Sequence, residues 1–179
     1  MFATALKYGA LAGAIIISVL VAGIVLSREH ANGHFLSSMW LGYLVMIVAL
    51  SMIFLAVRDY RNRRLGGVIR FLPAFGMGLL VAVIAAVVYV AGWEMYLAAT
   101  DYTFMPNYVA HSIEAKRAAG LGGAELEAYV AQMEGMVVAY RNPLMRMPMT
   151  FLEIFPVGLV IALISAAILR NPRVLPSRA

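Results

Sequence analysis

The chain has 179 residues, 63% of them hydrophobic, and a mean hydropathy of +0.86, well above the roughly 45–50% apolar content of a soluble domain. A water-soluble fold would expose too much of that surface, and lipid is the solvent that removes the problem. The net charge of +5 does not point to nucleic acid, because the basic residues form short clusters at the ends of apolar runs rather than one basic face.

A helix needs about 20 apolar residues to cross the hydrocarbon core. The first such run covers residues 4–26; it is too long for a signal-peptide core, and no small-residue cleavage site follows at Ser27-Arg28-Glu29, so it is expected to remain as a helix. The second run covers residues 35–57, the third 71–100 and the fourth 149–169. Between the last two lies a soluble stretch, residues 101–148. Pro106 suits the first turn of a helix, and Gly120 with Gly122-Gly123 ends it. A second arm carries Leu126, Tyr129, Val130, Met133, Val137 and Tyr140 on one stripe, with Glu125, Glu127, Gln132 and Glu134 on the other side, until Asn142-Pro143 stops it. The expected fold is all-α: one membrane domain over residues 1–179, a four-helix bundle with a helical hairpin, 101–148, inserted between the third and fourth spans.

Lysine and arginine set the expected orientation. Lys7, Arg58, Arg61, Arg63, Arg64, Arg70, Arg170, Arg173 and Arg178 lie on one side, nine against the five of Arg28, Lys116, Arg117, Arg141 and Arg146. The termini are therefore expected in the cytoplasm and the hairpin outside. Arg58, Arg61, Arg63, Arg64 and Arg70 make a cytoplasmic loop suited to anionic lipid, and Gly66-Gly67 turns the chain back to the membrane. It is not a phosphate loop, because no G-K-[ST] follows and no strand precedes it.

Small residues recur at four-residue spacing: Gly9 and Gly13 in the first span, Ala74, Gly78, Ala82 and Ala86 in the third, Ala162 and Ala166 in the fourth. Such ladders let helix backbones approach closely in lipid.

Two acids sit inside apolar runs. Glu94 is about six residues from the outer end of the third span, roughly 9 Å, and Glu153 about four residues into the fourth, roughly 6 Å. A charge at a helix centre costs about 2.5–3.5 kcal/mol in lipid, so such residues usually face a cavity or a partner. Similar depth suits them to share a polar pocket with Tyr43, Trp93, Tyr96 and Pro156; paired carboxylates are an arrangement that a proton-coupled carrier exploits. The plainer alternative is that each acid bonds a tyrosine, an arginine or a helix N-terminus, with Arg146 close to Glu153 in sequence. Trp40, Tyr43, Trp93, Tyr96 and Tyr102 also fit an aromatic belt at the headgroups, with Tyr43, about a turn and a half deeper, as the exception.

No cofactor is expected. The absence of cysteine excludes disulfides, thiolate catalysis and cysteine-held metals. His30 and His34 flank Asn32-Gly33, a turn signal, and H-E-x-x-H is absent, so no metal site is expected there.

Lys7-Tyr8-Gly9, Leu41-Gly42-Tyr43 with Met46 and Ser51, Arg58-Asp59-Tyr60-Arg61-Asn62 with Gly66-Gly67 and Phe71, Asn142-Pro143, and the run from Thr150 to Leu159 together resemble the bacterial family catalogued as domain of unknown function 4199. The resemblance covers essentially the whole chain. It implies a four-span membrane protein with an outer helical segment and supplies no known activity to carry over.

Three functions fit. The first is a non-enzymatic accessory or interaction subunit of a membrane assembly, with lipid and a protein partner or a second copy as its neighbours and the hairpin as docking face. The second is a small proton- or cation-coupled carrier using Glu94 and Glu153. The third is an enzyme acting on lipid headgroups with the same two acids.

Overall fold

The computed structural model describes residues 1–29 and 39–176; His30, His34, the start of the second predicted span and Arg178 lie outside them. The described residues are helical, without strands: α1 (Phe2–Glu29), α2 (Met39–Leu50), α3 (Met52–Arg64), α4 (Phe71–Ala99), α5 (Phe104–Ala118), α6 (Gly123–Arg141) and α7 (Pro143–Leu169). Among the described residues, four spans are long and apolar enough to cross a membrane: Phe2–Leu26, Trp40–Arg64, Phe71–Ala99 and Pro143–Leu169. This is an all-α membrane protein with a helical hairpin, α5–α6, between its third and fourth spans.

Three boundaries differ from the sequence reading. The second span is broken at Ser51, whose hydroxyl donates to the Val48 carbonyl at 2.6 Å and competes with the regular ladder. It then runs on through Arg64 instead of ending at Val57. Residues 58–64, expected as a loop, are helical because Asp59 and Arg63 pair one turn apart at 2.6 Å and the last-turn arginines meet the negative end of the helix dipole. The fourth span starts at Pro143, six residues before Met149, because Asn142 accepts the Leu144 N–H at 3.0 Å and Pro143 needs no donor in a first turn.

The chain forms two compact units: residues 1–92 with 151–179, and residues 93–150. The first unit is a bundle built around α4. Ala74, Met77, Val81, Ala82, Ala85, Ala86 and Tyr89 are buried along it at helical spacing. A Cβ on Gly9 would fall 2.8 Å from Ile84, and one on Gly13 only 2.5 Å from the Ala85 carbonyl, so α1 lies backbone-close against α4. Gly92 repeats this against Ile17. On the other side of α4, Gly78 meets Ala162 and Ile53, and Gly158 of α7 meets Ala82. Hence α1 packs on one face of α4 and α7 with α3 on another, while Leu11, Val19, Val48, Val87 and Val160 point outward, as lipid-facing side chains do.

In the second unit α5 packs on α6. Met105, Val109 and Met133 are buried between them; the predicted α6 stripe is buried or half-buried, and Glu125, Glu127, Gln132 and Glu134 are exposed. The turn between the arms places Gly120 at φ +89, with the Leu121 N–H on the Lys116 carbonyl and the Gly120 N–H on the Arg117 carbonyl, a left-handed helix cap.

Candidate functional site

The polar centre of the second unit is assembled from the end of α4 and the start of α7. Glu94 stands near the end of an otherwise apolar helix, and Arg146 falls one turn into the next span. The two meet fork to fork: Arg146 Nε donates to one carboxylate oxygen of Glu94 at 2.7 Å and Nη2 to the other at 2.6 Å. The third guanidinium nitrogen, Nη1, donates to the Tyr140 carbonyl at 2.9 Å. Arg146 is only 4% exposed, and its charge also lies over the rings of Tyr102, at 5.1 Å, and Tyr140, at 5.7 Å. Trp93 closes the cluster by donating its indole N–H to the Tyr140 hydroxyl at 2.7 Å and by meeting Phe104 edge to face at 4.9 Å.

Backbone strain helps to place one of these rings. α4 ends with the Tyr102 N–H on the Leu97 carbonyl, a cap that puts Asp101 in the left-handed position usually given to glycine, φ +49. Tyr102 follows in the same region at φ +55, unusual for a bulky side chain. Strain of this kind persists where surrounding contacts enforce it, and here the enforced contact is the ring over Arg146. Beside the cluster is a cavity of about 510 Å³, with Asp101, Tyr102, Met105, Tyr140, Arg141 and Arg146 among its walls. That volume suits a small molecule, and its walls offer both charges.

The first unit holds the other acid. Glu153 is exposed on α7, eleventh of the 27 residues in its span, and receives the Tyr89 hydroxyl at 3.4 Å. Pro156, one turn on, is exposed in an unbroken helix. Tyr43 is 44% exposed on α2. Glu94, Trp93 and Tyr96 thus belong to the second unit, and Glu153, Tyr43 and Pro156 to the first. Each acid has the kind of neighbour the plainer sequence alternative named, an arginine for Glu94 and a tyrosine for Glu153, although Arg146 serves Glu94 and not Glu153.

The arginines also divide. Arg64 and Arg70 are exposed, Arg58 is half-buried, and Arg63 pairs with Asp59. Arg61 corrects the sequence reading: it is fully buried and unavailable to lipid, because its guanidinium is spent on the carbonyls of Leu169, Val174 and Leu175. His111 is exposed, and no cluster of three metal-ligating side chains exists among the described residues.

Residues 7–171 match the family described as Protein of unknown function (DUF4199). The chain belongs to that family. No curated protein matches it, and no solved structure does. The DUF4199 match runs through both units, so the Glu94–Arg146 fork and Glu153 fall within it. The family carries no assigned activity, and roles must come from geometry.

In this DUF4199 chain the sequence reading passed over Tyr89, Tyr102 and Tyr140 as partners of charge. Arg146 was legible: it is a lone cation in the run Leu144-Met145-Arg146-Met147, and a lone cation among apolar residues asks for an acid at similar depth. The helix that begins at Pro143, and not at Met149, is what brings it level with Glu94.

Proposed function

We propose that this chain is a non-enzymatic interaction subunit of a membrane assembly, meeting a membrane helix of another protein at Glu153. The supporting observation is the place of that residue: a carboxylate exposed on the outer surface of an apolar span, flanked by exposed Leu152, Pro156 and Val160. In lipid such a group costs a few kcal/mol, and a single contact at 3.4 Å offsets little of it. A partner helix bearing a cation or hydroxyl offsets more. A second copy packed about a twofold axis through this face brings carboxylate to carboxylate, which disfavours self-association here. The carrier reading, which uses Glu94 and Glu153 together, has against it that both oxygens of Glu94 are held by Arg146.

On this reading the protein sits in the bacterial cytoplasmic membrane with both termini in the cytoplasm and the hairpin outside; the arginine distribution supports that orientation. The test is photocrosslinking from position 160 in native membranes, with mass-spectrometric identification, in the wild type and in Glu153→Gln. The expected product joins α7 to a membrane helix of a different protein through a segment containing a basic or hydroxyl side chain. It is lost in the Gln variant while thermal melting in detergent is unchanged. A product joining two copies of this chain, or one unaffected by Glu153→Gln, overturns the reading.

A further inference from the structure

The fully buried Arg61 ties the C-terminal segment to the end of α3. Its Nη1 donates to the Leu169 carbonyl at 3.4 Å and to the Val174 carbonyl at 3.0 Å, and its Nη2 donates to the Leu175 carbonyl, 114 residues along the chain. Nε donates to Asn62 Oδ1 at 2.9 Å. Every one of these acceptors is neutral. The Leu169 carbonyl belongs to the last turn of α7, where the helix dipole favours a cation. The Arg61 carbonyl in turn accepts the Leu65 and Gly67 N–H groups, so one residue fixes both the α3–α4 turn and the tail. Within the tail the Asn171 side chain accepts the Arg173 N–H at 3.0 Å, a local turn that folds the segment back.

This latch ties the ends of two apolar spans, Trp40–Arg64 and Pro143–Leu169, to each other at one end of the unit. Arg64 and Arg70 are exposed on the turn, Arg170 and Arg173 on the tail. Asp59, the one acid among residues 58–70 and 170–176, is occupied by Arg63. Exposed apolar side chains are interleaved with the cations: Leu65 at 40%, Val68 at 58% and Leu72 at 76%. Alternating cations and apolar side chains at the end of a membrane span match a molecule with phosphate above and acyl chain below. A nucleic acid or free phosphate has no use for the apolar half.

We infer that this end of the first unit is a two-segment binding surface for anionic phospholipid, with Arg64 and Arg70 on the turn, Arg170 and Arg173 on the tail, and Arg61 as the positioning residue that latches the tail to the turn. The inference does not depend on the role given to Glu153. Each exposed arginine near an anionic headgroup is worth about fivefold in affinity.

Native mass spectrometry of the full chain, in a neutral detergent with added phosphatidylglycerol, phosphatidylcholine or inorganic phosphate, tests it. Phosphatidylglycerol is expected to be retained, the other two not. Equal retention of phosphatidylcholine, or an equal effect of inorganic phosphate, overturns the inference. The pair R170Q/R173Q changes only exposed side chains; it is expected to weaken phosphatidylglycerol retention by about tenfold or more, as is R64Q/R70Q. Loss in the turn pair alone overturns the two-segment surface. Arg61→Gln is expected to match R170Q/R173Q, and adding it to that pair should weaken retention no further. If the two effects multiply, Arg61 is not a latch. Should Arg61→Gln fail to fold, the two exposed pairs still decide whether both segments bind.

Discussion

Arg146 and Glu94 lie 52 residues apart in sequence and meet through two parallel hydrogen bonds, at 2.7 and 2.6 Å, with side-chain exposures of 4% and 18%. Breaking such a pair from one side leaves the other charge buried and unpaired, which costs on the order of 3–5 kcal/mol. Glu94→Gln should therefore lower the melting temperature in detergent sharply. Replacing both partners by Leu and Met should cost less than either single change, since no charge is then stranded. A Gln variant that melts like the wild type would mean that the pair is not what holds the second unit together.

Glycines in the two units predict opposite responses. At Gly13 a Cβ would sit 2.5 Å from the Ala85 carbonyl and 2.9 Å from Val88, so Gly13→Ala should destabilise by about 1–3 kcal/mol through overpacking. At Gly135, inside α6, a Cβ meets nothing within 4 Å. Gly135→Ala should stabilise the helix by about 0.5–1 kcal/mol. Thermal melting of the two variants side by side checks both signs.

Orientation is open to direct chemistry because the chain has no cysteine. Gly122 lies in the hairpin turn with φ −148 and open space around it, so Gly122→Cys is free of strain. On intact cells it should react with a membrane-impermeant maleimide. Arg173→Cys, on the exposed tail, should react only after the membrane is permeabilised. The reverse pattern would invert the proposed topology.

Trp93 is 5% exposed and Trp40 83%, and these are the two tryptophans of the chain. Trp93→Phe keeps an aromatic ring against Phe104 and removes the donor to Tyr140. A stability loss of about 1 kcal/mol is expected, the ordinary net worth of one hydrogen bond. The same variant should remove the protected part of the tryptophan emission, measured by quenching with an aqueous or lipid-borne quencher. A loss several times larger would show that the space left by the smaller ring, rather than the hydrogen bond, sets the cost.

Periodicity and hydropathy carried the spans, because lipid forces every backbone group into a helix and leaves apolar length as a direct record. The small-residue ladder at Gly9, Gly13, Gly78 and Ala82 was equally visible, and these residues lie where α1, α4 and α7 touch. Helix ends were harder to read. Arg58 to Arg64 is too polar for hydropathy to include, yet the Asp59–Arg63 pair and the dipole carry the helix on. The candidate site was half legible. Glu94 and Glu153 stood out as acids in apolar runs, but a tyrosine such as Tyr89 or Tyr140 announces nothing about which charge it serves. Arg61 looked like its neighbours in sequence, and only the fold separates a buried latch from an exposed arginine.

The spacing of Glu94 and Arg146 also sets an order of events during synthesis. Ribosomes add about 5–20 residues per second, so Glu94 is made roughly 3–10 s before the arginine that neutralises it, 52 residues later. Throughout that interval α4 presents an unpaired carboxylate near one end of an apolar segment. Its entry into lipid carries the cost of a lone carboxylate until α7 arrives, and pairing with Arg146 lowers that cost. A ribosome stalled before residue 146 should accordingly leave α4 easier to extract from the membrane than it is in the finished chain.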